Sequence, residues 1–203
     1  MSPVRGLYGM VDTGVARAPA DQLAVLLDAG CRVVQLRAKS ASTADRCALT
    51  RALMPRVRAA GARLIVNDDL SAAALADGVH LGQDDAPPAL ARARLGAGAL
   101  VGWSTHTAGQ VAAACGHVDY IGFGPVFSTT SKDTGYAPRG VEALAAAVSA
   151  FGGPVVAIGG IDAASLPAVR ATGAAAWAVI GAIWAAPDPA GAARFFAQAV
   201  DKA

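Results

Sequence analysis

Cysteine is scarce and poorly placed for pairing. Cys31, Cys47 and Cys115 are odd in number and contain no C-x-x-C pair, which argues against a disulfide framework and a structural zinc site. Histidine is equally rare, at three, and H-x-H, H-E-x-x-H and G-x-S-x-G are all missing. Transition-metal hydrolysis and a nucleophile elbow therefore lack their residues. Charge is sparse too: 16% of residues are charged, 17 basic against 15 acidic, for a net charge of +2. A balance so near neutral gives no field for nucleic acid or an acidic membrane surface. Local groups must hold any anionic ligand. The opening MSPVRGLYGMV has no apolar run followed by a cleavage site, which predicts no signal peptide.

Hydrophobic residues make up 54% of the 203, with 23 Gly and 11 Pro spread among them. This excludes disorder, collagen and a coiled coil, and supplies a core for a single domain, 1–203. Two uncharged stretches, 143–161 and 171–187, invite a membrane reading. The first is broken by Gly152-Gly153-Pro154; the second contains Gly181, ends at Pro187 and falls short of the roughly 20 residues a bilayer needs. Both predict buried elements of a soluble, cytoplasmic protein.

Short apolar runs alternate with longer Ala-rich segments. Strands are predicted over 6–11, 32–36, 63–66, 78–81, 99–103, 118–123, 154–158 and 176–180. Helices are predicted over 43–60, 107–115, 140–150 and 162–171, with Thr107 and Asp162 as N-caps. Continuous Val/Ile/Leu runs suit strands covered on both faces of a parallel sheet. Eight strands, each followed by a helix, predict an α/β fold, a (β/α)8 TIM barrel. A doubly wound open sheet is the competing architecture.

Polar residues cluster after nearly every predicted strand, where a barrel gathers them on one rim. Arg37 and Lys39, two apart on an extended segment, suit a phosphate or diphosphate, or else a solvated rim. Asp68 and Asp85 suit Mg²⁺, which takes one or two carboxylates with substrate oxygens and waters. Alternatively, Asp68 or Asp69 caps the following helix. Gly159-Gly160, opening a helix, would offer bare N–H groups to an anion, or would simply make a tight turn. The loop from Phe127 to Gly140 is long enough to suggest a lid. His80, within V-H-L, predicts a satisfied barrel-lining histidine. His106 lies at the rim, where local hydrogen bonding beside Thr107 is an equal reading. Cys31, starting a strand, and Cys47, mid-helix, do not look like nucleophiles. The residues point to a site for two anions with Mg²⁺.

Seven pieces in order carry a family resemblance: Q-L-R-A-K (35–39), N-D (67–68), H-L-G-Q-D-D (80–85), G-W-S-T-H (102–106), D-Y-I-G-F-G-P-V-F-S-T-T-S-K (119–132), V-A-I-G-G-I (156–161) and A-V-I-G (178–181). Over nearly its whole length the chain resembles the thiamine-phosphate synthase family. The resemblance implies a (β/α)8 barrel joining hydroxymethylpyrimidine diphosphate to thiazole phosphate, with or without an extra carboxylate, and releasing diphosphate. It implies that Arg37, Lys39, Ser104 and Lys132 bind the diphosphate and act catalytically on it as it leaves. Gln35 and Asn67 would hydrogen-bond the aminopyrimidine, and Asp68 and Asp85 would ligate Mg²⁺. Thr129, Ser131, Gly160, Ile180 and Gly181 would hold the thiazole phosphate, and Thr130 would join the substrate-binding residues. Ala38 stands where many members carry Glu, Ser131 where they carry Thr, and Gly181 where Ser is common. The segment S-K-D-T-G-Y-A-P-R-G (131–140) also resembles the related thiazole tautomerase branch. That branch, or a catalytically idle barrel binding thiazole or thiamine phosphate, is the alternative.

Overall fold

The computed structural model describes residues 4–129 and 136–200. Its strands are β1 (Gly6–Asp12), β2 (Val33–Arg37), β3 (Arg63–Asn67), β4 (Gly78–Leu81), β5 (Leu100–Thr105), β6 (Tyr120–Phe123), β7 (Val155–Ile158) and β8 (Ala176–Val179). Each pairs in parallel with the next, and β8 returns to β1 through Gly6↔Ala176 to Gly9↔Val179. That last pairing closes the barrel and excludes the open sheet. The helices are α1 (Pro19–Asp28), α2 (Thr43–Ala59), α3 (Leu70–Ala73), α4 (Pro88–Leu95), α5 (Ala108–Ala114), α6 (Gly140–Phe151), α7 (Leu166–Ala171), α8 (Gly181–Trp184) and α9 (Pro189–Gln198).

Local chemistry starts these helices. Ser42 and Asp45 form a reciprocal capping box on α2. Thr107 accepts from the Gln110 N–H to cap α5, as the sequence predicts. Proline occupies the first turn of α1 and α4, where its missing N–H has no partner to lose. The predicted cap at Asp162 is corrected: α7 starts four residues later, at Leu166. Asp162 instead closes a preceding turn, its carboxylate accepting from the Ser165 N–H at 2.8 Å. The Ser165 amide and hydroxyl hold that carboxyl below its ordinary range. Strand β6 also begins two residues later than expected, because Asp119 turns its backbone and side chain to Val101 instead.

Two apolar layers follow from the two faces of the strands. Leu7, Val11, Val34, Leu36 and Leu64 pack outward against helix residues such as Leu23, Leu26, Leu53 and Val57. Tyr8, Met10, Val33, Ile65, Tyr120, Val156, Ala176 and Ala178 form a separate cluster in the barrel. Burying one such aliphatic or aromatic side chain contributes about 1.5–3 kcal/mol. Among the described residues no helix is long and apolar enough to cross a membrane. The two uncharged stretches are instead divided among α6, β7, β8 and α8.

Candidate active site

Side chains two apart on a strand share a face, and the inward positions become polar towards each strand's C-terminal end. β1 reads Tyr8, Met10, Asp12; β2 reads Val33, Gln35, Arg37; β3 reads Ile65, Asn67; β5 reads Leu100, Gly102, Ser104. Apolar residues thus fill the lower barrel, and polar ones surround a cavity of about 480 Å³ above it. Gln35, Arg37, Asn67, Ser104, Thr129, Gly160, Ile180 and Gly181, all named from the sequence, line this cavity. Tyr8, Met10, His80, His106 and Ile158 line it too. Sequence reasoning assigned Tyr8, Met10 and Ile158 no role, although for Tyr8 and Met10 the alternation with Asp12 along β1 was the available signal.

Arg37 is oriented by Asp12. The Arg37 Nη1 lies 2.5 Å from the Asp12 carboxylate, and the register sets the two residues opposite each other. Asp12 also accepts from the Gly14 N–H, so the carboxylate is itself fixed. One edge of the guanidinium is thereby held while the fork retains donors for an anion in the cavity.

A hydrogen-bond chain crosses the barrel floor. Gln35 Nε2 donates to the Tyr8 hydroxyl at 2.9 Å, and that hydroxyl lies 2.7 Å from the Tyr120 hydroxyl. Tyr120 then meets His80 Nδ1 at 3.1 Å, and His80 Nε2 meets Ser104 Oγ at 2.9 Å. Two glycines make room: a Cβ on Gly102 would lie 2.1 Å from Tyr120 Cζ, and one on Gly122 would lie 3.1 Å from His80 Cε1. Burial pushes both tyrosine hydroxyls well above their ordinary range, so they stay protonated. His80 is thus barrel-lining and satisfied, as expected, but it also contacts the site residue Ser104.

Lys39 departs from the expected geometry. Strand β2 ends at Arg37, Ala38 is buried, and Lys39 sits exposed in a turn outside the residues lining the cavity. The shared extended face inferred for Arg37 and Lys39 is therefore absent. The helix-capping alternative at Asp68/Asp69 falls to Asp69, which accepts from the Ser71 and Ala72 N–H groups. Asp69 also pairs with Arg46 at 3.2 Å. Burial raises its carboxyl, but the Ala72 amide, Thr43, Arg46 and the Ser71 amide outweigh that and hold it below the ordinary value. Asp68 takes the left-handed region at φ 65°, and its N–H donates to the His80 carbonyl. Asp85 accepts from the Gly82 N–H at 2.6 Å. The described residues contain no cluster of three metal-ligating side chains. Neither Asp68 nor Asp85 is among the residues that line the cavity; a carboxylate is nonetheless the hard oxygen donor that Mg²⁺ takes, with water and substrate oxygens in its other positions.

Gly159-Gly160 does not open a helix; five residues separate Gly160 from α7. Both glycines have positive φ, at 99° and 64°. A Cβ on Gly160 would lie 2.3 Å from the Ser128 carbonyl, and one on Gly159 would lie 2.6 Å from Pro125 Cβ. The pair lets 125–128 run against 158–160, where Val126 and Phe127 donate to the Ile158 and Gly159 carbonyls. The tight-turn reading therefore explains the glycines, and the same turn brings Gly160 to the cavity. Gly181 starts α8 directly after Ile180. Thr130, Ser131 and Lys132, with the middle of the expected lid, lie outside the described residues. At the loop's far side Tyr136 stacks on His106 with centroids 4.2 Å apart, and Arg139 lies over the Tyr136 ring. His106 Nδ1 meets the Gly124 carbonyl at 2.5 Å, and its backbone N–H donates to Gln110 Oε1 in the first turn of α5, so the residue is hydrogen-bonded locally and also lines the cavity. Cys31 is buried just before β2, where burial pushes its thiol up to about 11. A thiol so protonated is no nucleophile.

The family model for thiamine monophosphate synthase matches residues 7–183. The chain belongs to this family. It is 44% identical over 180 residues to the thiamine-phosphate synthase of Chlorobium luteolum, covering 87% of this chain and 85% of that one. It is 43% identical to the Herpetosiphon aurantiacus thiamine-phosphate synthase, with 94% of each covered. Among solved structures, the thiamine phosphate pyrophosphorylase of Pyrococcus furiosus superposes with a TM-score of 0.87 at 29% identity, covering 97% of this chain and 95% of that one. The family match contains every residue that lines the cavity, from Tyr8 to Ala182.

Proposed function

We propose that this chain is a thiamine-phosphate synthase, joining hydroxymethylpyrimidine diphosphate to thiazole phosphate with release of diphosphate. One observation carries the reading: a single cavity collects two sets of polar groups from different sides of a closed barrel. Gln35, Arg37, Asn67 and Ser104 come from β2, β3 and β5, whereas Gly160, Ile180 and Gly181 follow β7 and β8. Such a cavity suits two anionic substrates meeting at its centre.

On this reading Gln35 and Asn67 hydrogen-bond the aminopyrimidine and fix its plane. Arg37, preset by Asp12, and Ser104 hold the diphosphate, with Lys132 and, by reaching in from its exposed turn, Lys39 as the further cations. Asp68 and Asp85 would hold Mg²⁺, which when bound would supply positive charge to the diphosphate. The aminopyrimidine is electron-rich, so the carbon–oxygen bond breaks dissociatively. The cationic side chains stabilise the charge that grows on the leaving group. The thiazole nitrogen attacks with its own lone pair and needs no general base. Thr129, Thr130, Ser131 and the backbone groups of Gly160, Ile180 and Gly181 fix the thiazole phosphate, which supplies proximity. Both substrates are small and diffusible, and on this reading the enzyme is cytoplasmic.

The test supplies both substrates with Mg²⁺ and counts products. The reading expects thiamine phosphate and diphosphate in equal amounts. Isomerisation of a thiazole carboxylate phosphate, with no diphosphate released, would overturn it in favour of the tautomerase branch.

A further inference from the structure

The chain from Gln35 to Ser104 has a direction that can be read by counting protons. Gln35 Nε2 donates to Tyr8, so the single Tyr8 hydroxyl proton is left for its neighbour, the Tyr120 oxygen 2.7 Å away. The Tyr120 proton then goes to His80 Nδ1. A ring nitrogen that accepts at Nδ1 carries its proton on Nε2, which donates to Ser104 Oγ. The Ser104 proton is therefore available to the cavity that Ser104 lines. At the other end Gln35 has one of its two Nε2 hydrogens on Tyr8 and presents its carbonyl oxygen. Both tyrosine hydroxyls are buried and remain protonated, so neither end can be reset by losing a proton along the way.

We infer that Tyr8, Tyr120 and His80 couple the two ends of the cavity, so that a ligand group donating to Gln35 sets Ser104 as a donor to the anion. This rests on the reading above, in which Gln35 meets the aminopyrimidine. An amino group on the heterocycle satisfies the Gln35 carbonyl and leaves the chain as it stands. An oxo group at the same place needs a donor from Gln35. A flip of the amide supplies that donor where the carbonyl stood, and every donor and acceptor assignment then reverses as far as Ser104. Ser104 would then donate to His80 and turn lone pairs onto an anionic ligand, an arrangement that repels. Tyr8, Tyr120 and His80 are thus positioning residues that tie selection of the heterocycle to binding of its diphosphate.

Two measurements test this. The first needs no ligand: in ¹⁵N-histidine-labelled protein, the His80 shifts should show a protonated Nε2 and an unprotonated Nδ1. The reverse tautomer would overturn the polarity. The second compares the dissociation constants of the amino and oxo forms of hydroxymethylpyrimidine diphosphate, with Mg²⁺ and no thiazole. The wild type should favour the amino form by about 100-fold or more, since the oxo form leaves either the Gln35 carbonyl or, once the chain reverses, the Ser104 lone pairs facing another acceptor. Tyr120→Phe should cut that ratio by about tenfold, and Tyr8→Phe, which breaks an earlier link, should do the same. General damage to the site would weaken both forms alike and leave the ratio standing. An unchanged ratio in folded variants would overturn the coupling alone. Binding of neither form by the wild type would overturn the substrate reading, and the coupling with it.

Discussion

Asp12 and Arg37 face each other at the C-terminal ends of β1 and β2 and are joined by an ion pair of 2.5 Å, with side chains 8% and 16% exposed. Removing one partner of a pair so largely desolvated leaves the other charge without compensation. Asp12→Ala should therefore lose about 2–3 kcal/mol of stability in urea unfolding. It should also raise KM for the pyrimidine diphosphate about tenfold, because the guanidinium is no longer preset. Unchanged stability and KM would mean that Arg37 needs no such holder.

Asp68 and Asp69 are adjacent and should behave in opposite ways. Asp69 caps α3 and pairs with Arg46, so Asp69→Ala should cost about 1 kcal/mol of stability and leave the Mg²⁺ dependence of turnover alone. Because its folded carboxyl is depressed, the native state binds this proton less readily than the unfolded chain. Its contribution is thus present above about pH 4 and lost as pH falls through the folded value. Asp68→Ala should abolish Mg²⁺-dependent turnover while thiazole phosphate still binds. Loss of both by Asp68→Ala would contradict the division of roles.

Gly160→Ala places a Cβ 2.3 Å from the Ser128 carbonyl at a backbone φ of 64°. The left-handed conformation alone costs a non-glycine residue about 1 kcal/mol, and the clash adds to it. A fall of about 2 kcal/mol or more in stability is expected, with weaker thiazole phosphate binding as the 125–128 segment shifts. Calorimetry on the two properties would check both.

Cys31 gives an alkaline signature. Its thiol rises from an ordinary 9.0 to about 11 in the folded chain. Between those values the unfolded chain has released this proton and the native state has kept it, so stability falls as pH rises. The contribution is whole below about pH 9 and lost on passing about pH 11, a change of about 3 kcal/mol. Cys31→Ala should flatten the stability curve over that window relative to the wild type. Equal slopes would contradict the assignment.

Most of the barrel was legible because parallel strands covered on both faces must be apolar along their length. Runs such as RVVQL and RLIV mark β2 and β3 to within one residue. Element starts were less legible where a side chain diverts the chain locally, as Asp162 does before α7 and Asp119 before β6. The rim residues Gln35, Arg37, Asn67 and Ser104 were recoverable from their place after apolar runs. The partners that orient them were not. Tyr8 and Tyr120 are 112 residues apart and meet only because the barrel closes, and each reads in sequence as one more apolar residue. Asp12, likewise, acquires its meaning from the register that sets it against Arg37. Lys39 illustrates the converse: spacing placed it beside Arg37, but the strand ends first.

The most direct test of the account mixes the purified protein with hydroxymethylpyrimidine diphosphate and thiazole phosphate and quantifies thiamine phosphate with Mg²⁺, with chelator, and after Mg²⁺ is restored. The account predicts product with the metal, none with the chelator, and recovery on restoration. Folded protein that binds both substrates yet forms no thiamine phosphate with Mg²⁺ present would contradict it.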